Sequence, residues 1–217
     1  MQPIVLTKTL AASNATIVAA LQRTSAAGPV TLVSAPVTLD TQRRVLVTSQ
    51  GNDAGINFVL TGTREGGQPI GETLAGTNAS SALSSFDYLT VTSITTSGAT
   101  ASGITAGTTT VGSTSWKLPN YHLTPFQLNI GVAVTAGVVN YTVEYTYDDF
   151  VTVTPGGSTY QPALPTPPVA FALTALATQS SNKDGGFIGN PIRGWRLTVN
   201  SGTGTAVATG IQAGIRN

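Results

Sequence analysis

The stretch that decides the fold class is Val138-Val139-Asn140-Tyr141-Thr142-Val143-Glu144-Tyr145-Thr146-Tyr147. Apolar and polar side chains alternate along it, which is typical of a β-strand that buries one face and leaves the other in water. The alternation places Tyr141, Tyr145 and Tyr147 together on the inward face. This stretch therefore predicts a half-buried strand of an antiparallel sheet.

The same period of two recurs along most of the chain. Comparable runs occupy residues 43–49, 56–63, 70–74, 86–94, 104–111, 126–132, 169–173, 192–199 and 205–211. The composition agrees with them, because the chain contains 36 threonines, 24 glycines and 12 prolines. Threonine favours pleated sheets, whereas glycine and proline favour turns. We therefore expect an all-β protein.

The length of 217 residues suffices for two domains of about 100 residues each. The turn around Pro119, with Trp116 at its start, predicts a junction between residues 28–115 and residues 116–217. We expect two tandem antiparallel β-sandwich domains, Ig-like or jelly-roll-like. Residues 1–27 are predicted either as a short helix capped at Ser13 or Asn14, or as an extended N-terminal arm that pairs with a neighbour.

Charge and cysteine content exclude several classes of function. Only 9% of the residues are charged and the net charge is +1, so clustered cations for nucleic-acid binding are not expected. The chain has no cysteine, which rules out thiolate nucleophiles and cysteine-bound metals. No apolar run is long enough for a transmembrane helix, and the first residues do not resemble a secretory signal. We expect a protein made in the cytoplasm that does not bind membranes.

Candidate catalytic residues are few. The single histidine, His122, is predicted in a linker, and no G-x-S-x-G motif presents a serine nucleophile. Three carboxylates, Glu144, Asp148 and Asp149, cluster at the end of the predicted strand of residues 138–147. We expect them to belong to a solvated turn. Asp148 and Asp149 are also calcium candidates, since carboxylates and carbonyls bind that ion. We expect no enzymatic activity and no cofactor.

Arginine and tryptophan supply the candidate interface residues, because both are enriched in protein-protein hot spots. Arg193 and Arg196 flank Trp195 at the start of a predicted strand. The predicted interface set is Arg43, Arg44, Trp116, Arg193, Trp195 and Arg196. The alternative is that the arginines guard exposed edge strands.

Several motifs, taken in their order along the chain, resemble β-rich structural proteins of tailed bacteriophage particles. In the first half the similar segments are residues 43–49, 52–58, 60–63, 71–73, 76, 86 and 90–94. In the second half they are residues 140–143, 148–149, 191–193, 197–202 and 211–214. The resemblance covers most of residues 29–215 and carries no catalytic residues.

The resemblance implies a non-enzymatic virion component, either a capsid decoration (cement) protein or an accessory protein attached to the neck or tail. Its partners would be copies of itself and other virion proteins, namely the major capsid protein or the portal and tail proteins. Strand addition at sheet edges would supply contacts. The alternative is a carbohydrate-binding β-sandwich that attaches to host or environmental glycans. Such a site needs exposed aromatic rings, whereas the tyrosines of the opening stretch are predicted to face inward.

Overall fold

The structure is a computed structural model that describes residues 3–65, 67–120, 123–148 and 168–216. Their regular secondary structure is almost entirely β-strand, arranged in two antiparallel sheets, which confirms the all-β prediction. A single 3-10 turn, Thr174–Leu176, interrupts them. The strands are β1 (Ile4–Leu10), β2 (Asn14–Gln22), β3 (Gly28–Pro29), β4 (Val37–Ser49), β5 (Asn57–Thr63), β6 (Pro69–Ala75), β7 (Ser81–Thr96), β8 (Ile104–Thr108), β9 (Gly112–Ser113), β10 (Leu123–Thr146), β11 (Phe171–Ala172), β12 (Lys183–Ile188) and β13 (Gly194–Arg216).

The described chain divides into two compact units whose boundaries differ from the predicted ones. The N-terminal unit comprises residues 12–112, and the C-terminal unit comprises residues 3–11 together with the described residues from 113 onward. The difference arises because β1 pairs with β13 over seven residues. Leu6 and Leu10 of β1 are buried in the core of the C-terminal unit. In sequence, the N-terminal unit is therefore inserted between β1 and the rest of the C-terminal unit.

The short helix that was one alternative for residues 1–27 is not formed. Both apolar segments of this region are strands, and each pairs within its own chain: β1 with β13 and β2 with β8. In β2, Val18 and Ala19 are buried in the core of the N-terminal unit. Burial of these residues outweighs a weak local helix propensity, as tertiary contacts commonly do.

The N-terminal unit is a sheet in the order β2-β8-β4-β7-β5-β6, with β3 paired to β7. Strand β7 contacts β4 through residues 81–91 and β5 through residues 90–96. Its core is made of inward side chains from six strands, including Val45, Phe58, Tyr88 and Ile94. Glu72 links strand β6 to strand β7. Its carboxylate accepts hydrogen bonds from the backbone N–H groups of Ser85 and Phe86 at 2.7 and 3.1 Å.

The C-terminal unit is built on a long two-stranded ribbon. Strands β10 and β13 pair along nearly their whole length, with β1 and β9 on the outer side of β13 and with β11 and β12 on the outer side of β10. The sequence around Ala136-Gly137 predicts a turn between separate strands, but the structure has a bend within one continuous strand. Gly137 and Gly202, at positive φ of 64° and 94°, provide the bend on the two strands, and only glycine adopts this conformation without strain.

The bend folds the ribbon into two packed layers. One layer contains β1, residues 204–213 of β13, residues 127–134 of β10, and β12. The other contains β9, residues 194–199 of β13, residues 141–146 of β10, and β11. Side chains of both layers share one buried cluster that includes Leu128, Ile130, Tyr141, Trp195 and Leu197. The C-terminal unit is therefore a β-sandwich made largely from one bent hairpin.

Candidate functional site

Two of the predicted interface residues, Arg196 and Trp116, form a network with their neighbours on the outer face of the C-terminal unit. The Arg196 guanidinium lies over the Trp116 ring at 4.6 Å and its Nε donates to Glu144 Oε2 at 2.7 Å. Arg196 Nη1 also donates to Ser113 Oγ at 3.0 Å, and Thr198 Oγ1 donates to Glu144 at 2.9 Å. These contacts fasten the segment around residues 113–116 onto the ribbon. Arg196 and Trp116 thus bind each other within the unit.

The neighbouring residues Arg193 and Trp195 are placed differently. Arg193 is half-buried and its backbone N–H donates to the Thr146 carbonyl at 2.8 Å. Trp195 is 0% exposed and lies in the core between the two layers. A side chain so enclosed cannot contact a partner on the surface of the folded unit. Its assignment as an interface residue is therefore corrected to a core residue.

The arginine pair of the N-terminal unit also divides between interior and surface. Arg43 is 2% exposed, donates to Asp40 Oδ2 at 2.7 Å, and donates to the Ala12 carbonyl at 3.2 Å. The interior position of Arg43 is a second correction to the predicted interface. Arg44 is partly exposed, and its Nε lies 3.9 Å from Asp87 Oδ1.

The acidic turn after β10 is only partly described. Asp148 is exposed and its Oδ2 accepts a hydrogen bond from the Val169 N–H at 2.7 Å. Asp149 and His122 lie outside the described residues. Within the described ranges, no three His, Cys, Asp or Glu side chains are grouped as a metal site would require. The same ranges contain no helix of the length and apolarity needed to span a membrane.

The outer face of the layer that contains β1 and β12 is a nearly uncharged surface of the C-terminal unit. We name it the neutral face. Neighbouring strands bring together Thr7, Val207 and Ala133 in one row and Val5, Thr209, Gly131 and Asp184 in the next. Its outward positions are Val5, Thr7, Thr9, Gln127, Asn129, Gly131, Ala133, Asp184, Gly186, Ile188, Thr205, Val207, Thr209 and Ile211. Asp184 is the only charged member of this set.

The neutral face contains a shallow groove and several exposed apolar side chains. Gly131 leaves open space above the sheet. The groove of about 530 Å³ that includes it is bordered by Ala133 and Val207 and by two residues of opposite charge, Lys183 and Asp184. Ile188 has a large apolar side chain, yet it is 79% exposed to solvent. Exposed apolar patches of this kind mark surfaces that bind other molecules.

A cluster of four aromatic rings lies at the end of strand β10. The sequence does not predict this cluster. Tyr145 contacts Tyr147, Phe171 and Phe187, with ring centroids 5.6, 5.6 and 5.0 Å away. Tyr147 was predicted to face inward but is 56% exposed, and Phe171 is 44% exposed. Burial raises the pKa of Tyr145, and the neighbouring phenol of Tyr147 raises it further. The signal that could have found the cluster is the position of Tyr147 at the end of its strand, beyond the last cross-strand pair.

Comparison of the chain with protein-family models, with curated proteins and with solved structures yields no match in any of the three. The functional interpretation therefore depends on the surfaces described above.

Proposed function

We propose that the chain is a non-enzymatic structural component of a tailed phage particle. It serves either as a capsid decoration protein or as an accessory protein of the neck or tail. Its partners are copies of itself and the particle proteins on which it assembles. The observation that carries this proposal is the neutral face, where exposed Val5, Ile188 and Ile211 surround small uncharged side chains.

The chemistry of the neutral face suits protein packing better than contact with water. A solvated surface normally mixes charges of both signs, and a nearly uncharged one promotes association. Small side chains such as Gly131, Ala133 and Gly186 allow a partner to approach the sheet closely. The apolar side chains around them supply the area whose removal from water drives association.

The size of the neutral face favours assembly in many copies. Four strands spaced by about 4.8 Å, with about 3.3 Å per residue, cover roughly 20 by 20 Å. The resulting footprint of about 400 Å² is half of the roughly 800 Å² per partner that a stable isolated complex buries. A single contact through this face is therefore weak, and repetition in a symmetric particle strengthens it.

The outermost strands of this layer disfavour contact through their edges. Lys8 lies in β1 and its side chain is buried, whereas Lys183 lies in β12 and is exposed. Charged residues on edge strands, above all those that point inward, oppose the addition of another strand. These two lysines support contact through the sheet face rather than through strand addition.

Copy number separates the two locations on the particle. A decoration protein is expected in on the order of hundreds of copies per capsid, whereas a neck or tail protein is expected in roughly six or twelve. Quantitative mass spectrometry of gradient-purified particles, relative to the major capsid protein, measures this number. Absence of the chain from purified particles would refute the proposal for both locations.

Surface variants test whether the neutral face makes the contact. Ile188→Asp and Ile211→Asp place a charge on this face without disturbing the core, since both side chains are exposed. We expect each variant to fold and to be lost from particles. Val138→Asp is the matched control, because Val138 is 76% exposed in the same unit and lies outside the neutral face. Normal incorporation of both isoleucine variants would contradict a role for this face.

A further inference from the structure

We propose that Tyr147 and Phe171 form a binding platform for a neutral saccharide, with Asp148 as a hydrogen-bonding group at its rim. This proposal is independent of the assembly role, because it uses a different surface of the C-terminal unit. The two rings lie 5.9 Å apart and are the most exposed members of the four-ring cluster. A fully buried aromatic side chain removes about 150–250 Å² from water. Because about half of each side chain is exposed, roughly 100 Å² of each remains accessible to a ligand.

The platform is supported from within the unit. Half-buried Tyr145 contacts both Tyr147 and Phe171, and it also packs against the core. Phe171 is held opposite Tyr145 by the pairing of β10 with β11. The backbone on either side is also fixed, since the Leu173 N–H donates to the Val143 carbonyl at 2.9 Å. The rings are therefore oriented before any ligand arrives, which lowers the entropic cost of binding.

A carboxylate with a defined position lies beside the rings in the chain. The Asp148 N–H donates to Thr146 Oγ1 at 3.1 Å, and Asp148 Oδ2 accepts from the Val169 N–H at 2.7 Å. Val169 precedes Phe171 by two residues, so this bond joins the two chain segments that carry the platform. Because an ionised carboxylate has about four acceptor sites in all, Asp148 can also accept hydrogen bonds from ligand hydroxyls.

These groups match the chemistry of a neutral sugar. A pyranose presents one face of C–H groups, which the negative face of an aromatic ring attracts, and hydroxyls around its edge. An anionic polymer fits poorly, because Asp148 repels phosphate and the net charge of the chain supplies no compensating field. A purely apolar partner would leave the Asp148 carboxylate without water, which is costly.

Saccharide titrations of the full chain test the proposal. Maltohexaose, cellohexaose, xylohexaose and chitohexaose are the probes, and saturation-transfer NMR and calorimetry are the measurements. We expect at least one probe to bind and Tyr147→Ala or Phe171→Ala to weaken it about tenfold, the upper range for one aromatic contact. Phe171→Tyr should retain binding because it keeps the ring.

Val138→Ala is the matched control, since it removes an exposed apolar side chain elsewhere on β10 and should leave the affinity unchanged. Far-UV circular dichroism verifies that every variant is folded. The proposal is overturned if none of the four probes binds the wild-type chain at millimolar concentration. It is also overturned if the alanine variants bind as tightly as the wild type, or if the rings are covered by a second copy of the chain. Presence or absence of the chain in particles does not bear on any of these outcomes.

Discussion

Gly210 lies against the indole ring of Trp195, although both residues belong to strand β13. A Cβ atom placed on Gly210 would be 2.6 Å from Trp195 Cζ2. In a straight strand these two residues would be roughly 50 Å apart, at about 3.3 Å per residue. Their contact therefore measures how sharply the ribbon bends. It also explains why Trp195 is enclosed, because the second half of its own strand covers it.

Substitution of Gly210 tests this packing. Gly210→Ala forces a methyl group into the Trp195 ring, and we expect it to lower the free energy of unfolding by about 1–3 kcal/mol, as overpacking of a core does. Both tryptophans, Trp116 and Trp195, lie in the C-terminal unit, so tryptophan fluorescence in a urea titration reports this unit. Gly131→Ala is the control, because nothing lies within 4 Å of its added Cβ. Equal stability of the two variants would contradict the contact.

Strand β1 should stabilise the C-terminal unit, although the other strands of that unit lie more than 100 residues later in the sequence. Leu10 is 2% exposed in the core of the C-terminal unit, and Leu10→Ala should cost about 2–5 kcal/mol. The tryptophan transition should move to lower urea concentration. Val18→Ala removes a buried side chain from the N-terminal unit instead and should leave that transition in place. An unchanged transition in Leu10→Ala would show that β1 does not pair with β13.

Loss of the Arg196 network should free the segment that carries Trp116. In Arg196→Ala the indole loses its cation contact and Glu144 loses its ionic partner, which together should cost about 1–3 kcal/mol. We expect the tryptophan emission of the folded variant to shift to longer wavelength as Trp116 becomes hydrated. Lys183→Ala, at an exposed cation in the same unit, should leave the spectrum unchanged. An identical spectrum in Arg196→Ala would count against the stacking geometry.

Tyr88 should make the N-terminal unit sensitive to alkali. Burial, followed by the charge and the hydrogen bond of Glu72, raises the pKa of Tyr88. Below the unfolded pKa of about 10, the phenol is neutral in both states. As the pH rises past that value, the unfolded chain loses the proton while the folded chain retains it, so stability decreases. Urea midpoints followed by circular dichroism between pH 8 and pH 11.5 measure this decrease.

Tyr88→Phe provides the comparison for the alkaline effect. It removes the titrating group and leaves the ring in the core, although the hydrogen bond to Glu72 at 3.2 Å is lost. We expect a weaker dependence of the midpoint on pH in this variant than in the wild type. The same dependence in both proteins would show that Tyr88 does not contribute to alkaline unfolding.

Local patterns predict the strands well but not their long-range arrangement. Alternation of apolar and polar side chains locates the strand around Tyr141 and those around Val45 and Phe58. The pairing of β1 with β13 depends on residues about 200 positions apart, for which the local pattern holds no signal. Similarly, Gly137 indicates a change of direction, but a turn and a bend within a strand require the same glycine. The long bent strands therefore appear only in the structure.

Residue type alone also fails to separate interior from surface at the candidate site. Trp195 and Arg43 are of residue types enriched in interface hot spots, yet the large apolar area of a tryptophan ring also favours burial in a core. A buried arginine is tolerated when it is paired, as Arg43 is with Asp40. Tyr147 shows the opposite error. The alternation along its strand predicts an inward side chain, but Tyr147 lies just beyond the last cross-strand pair and is exposed. Its contact with Phe171 depends on the position of β11, which the sequence does not specify.

The most direct test of the assembly role is a cryo-electron microscopy map of the intact particle at side-chain resolution. We expect density for both units at every symmetry-related position, with the neutral face of the C-terminal unit packed against a neighbouring protein at Ile188 and Ile211. A map in which the chain is absent, or in which this face is turned to solvent at every copy, would contradict the proposal.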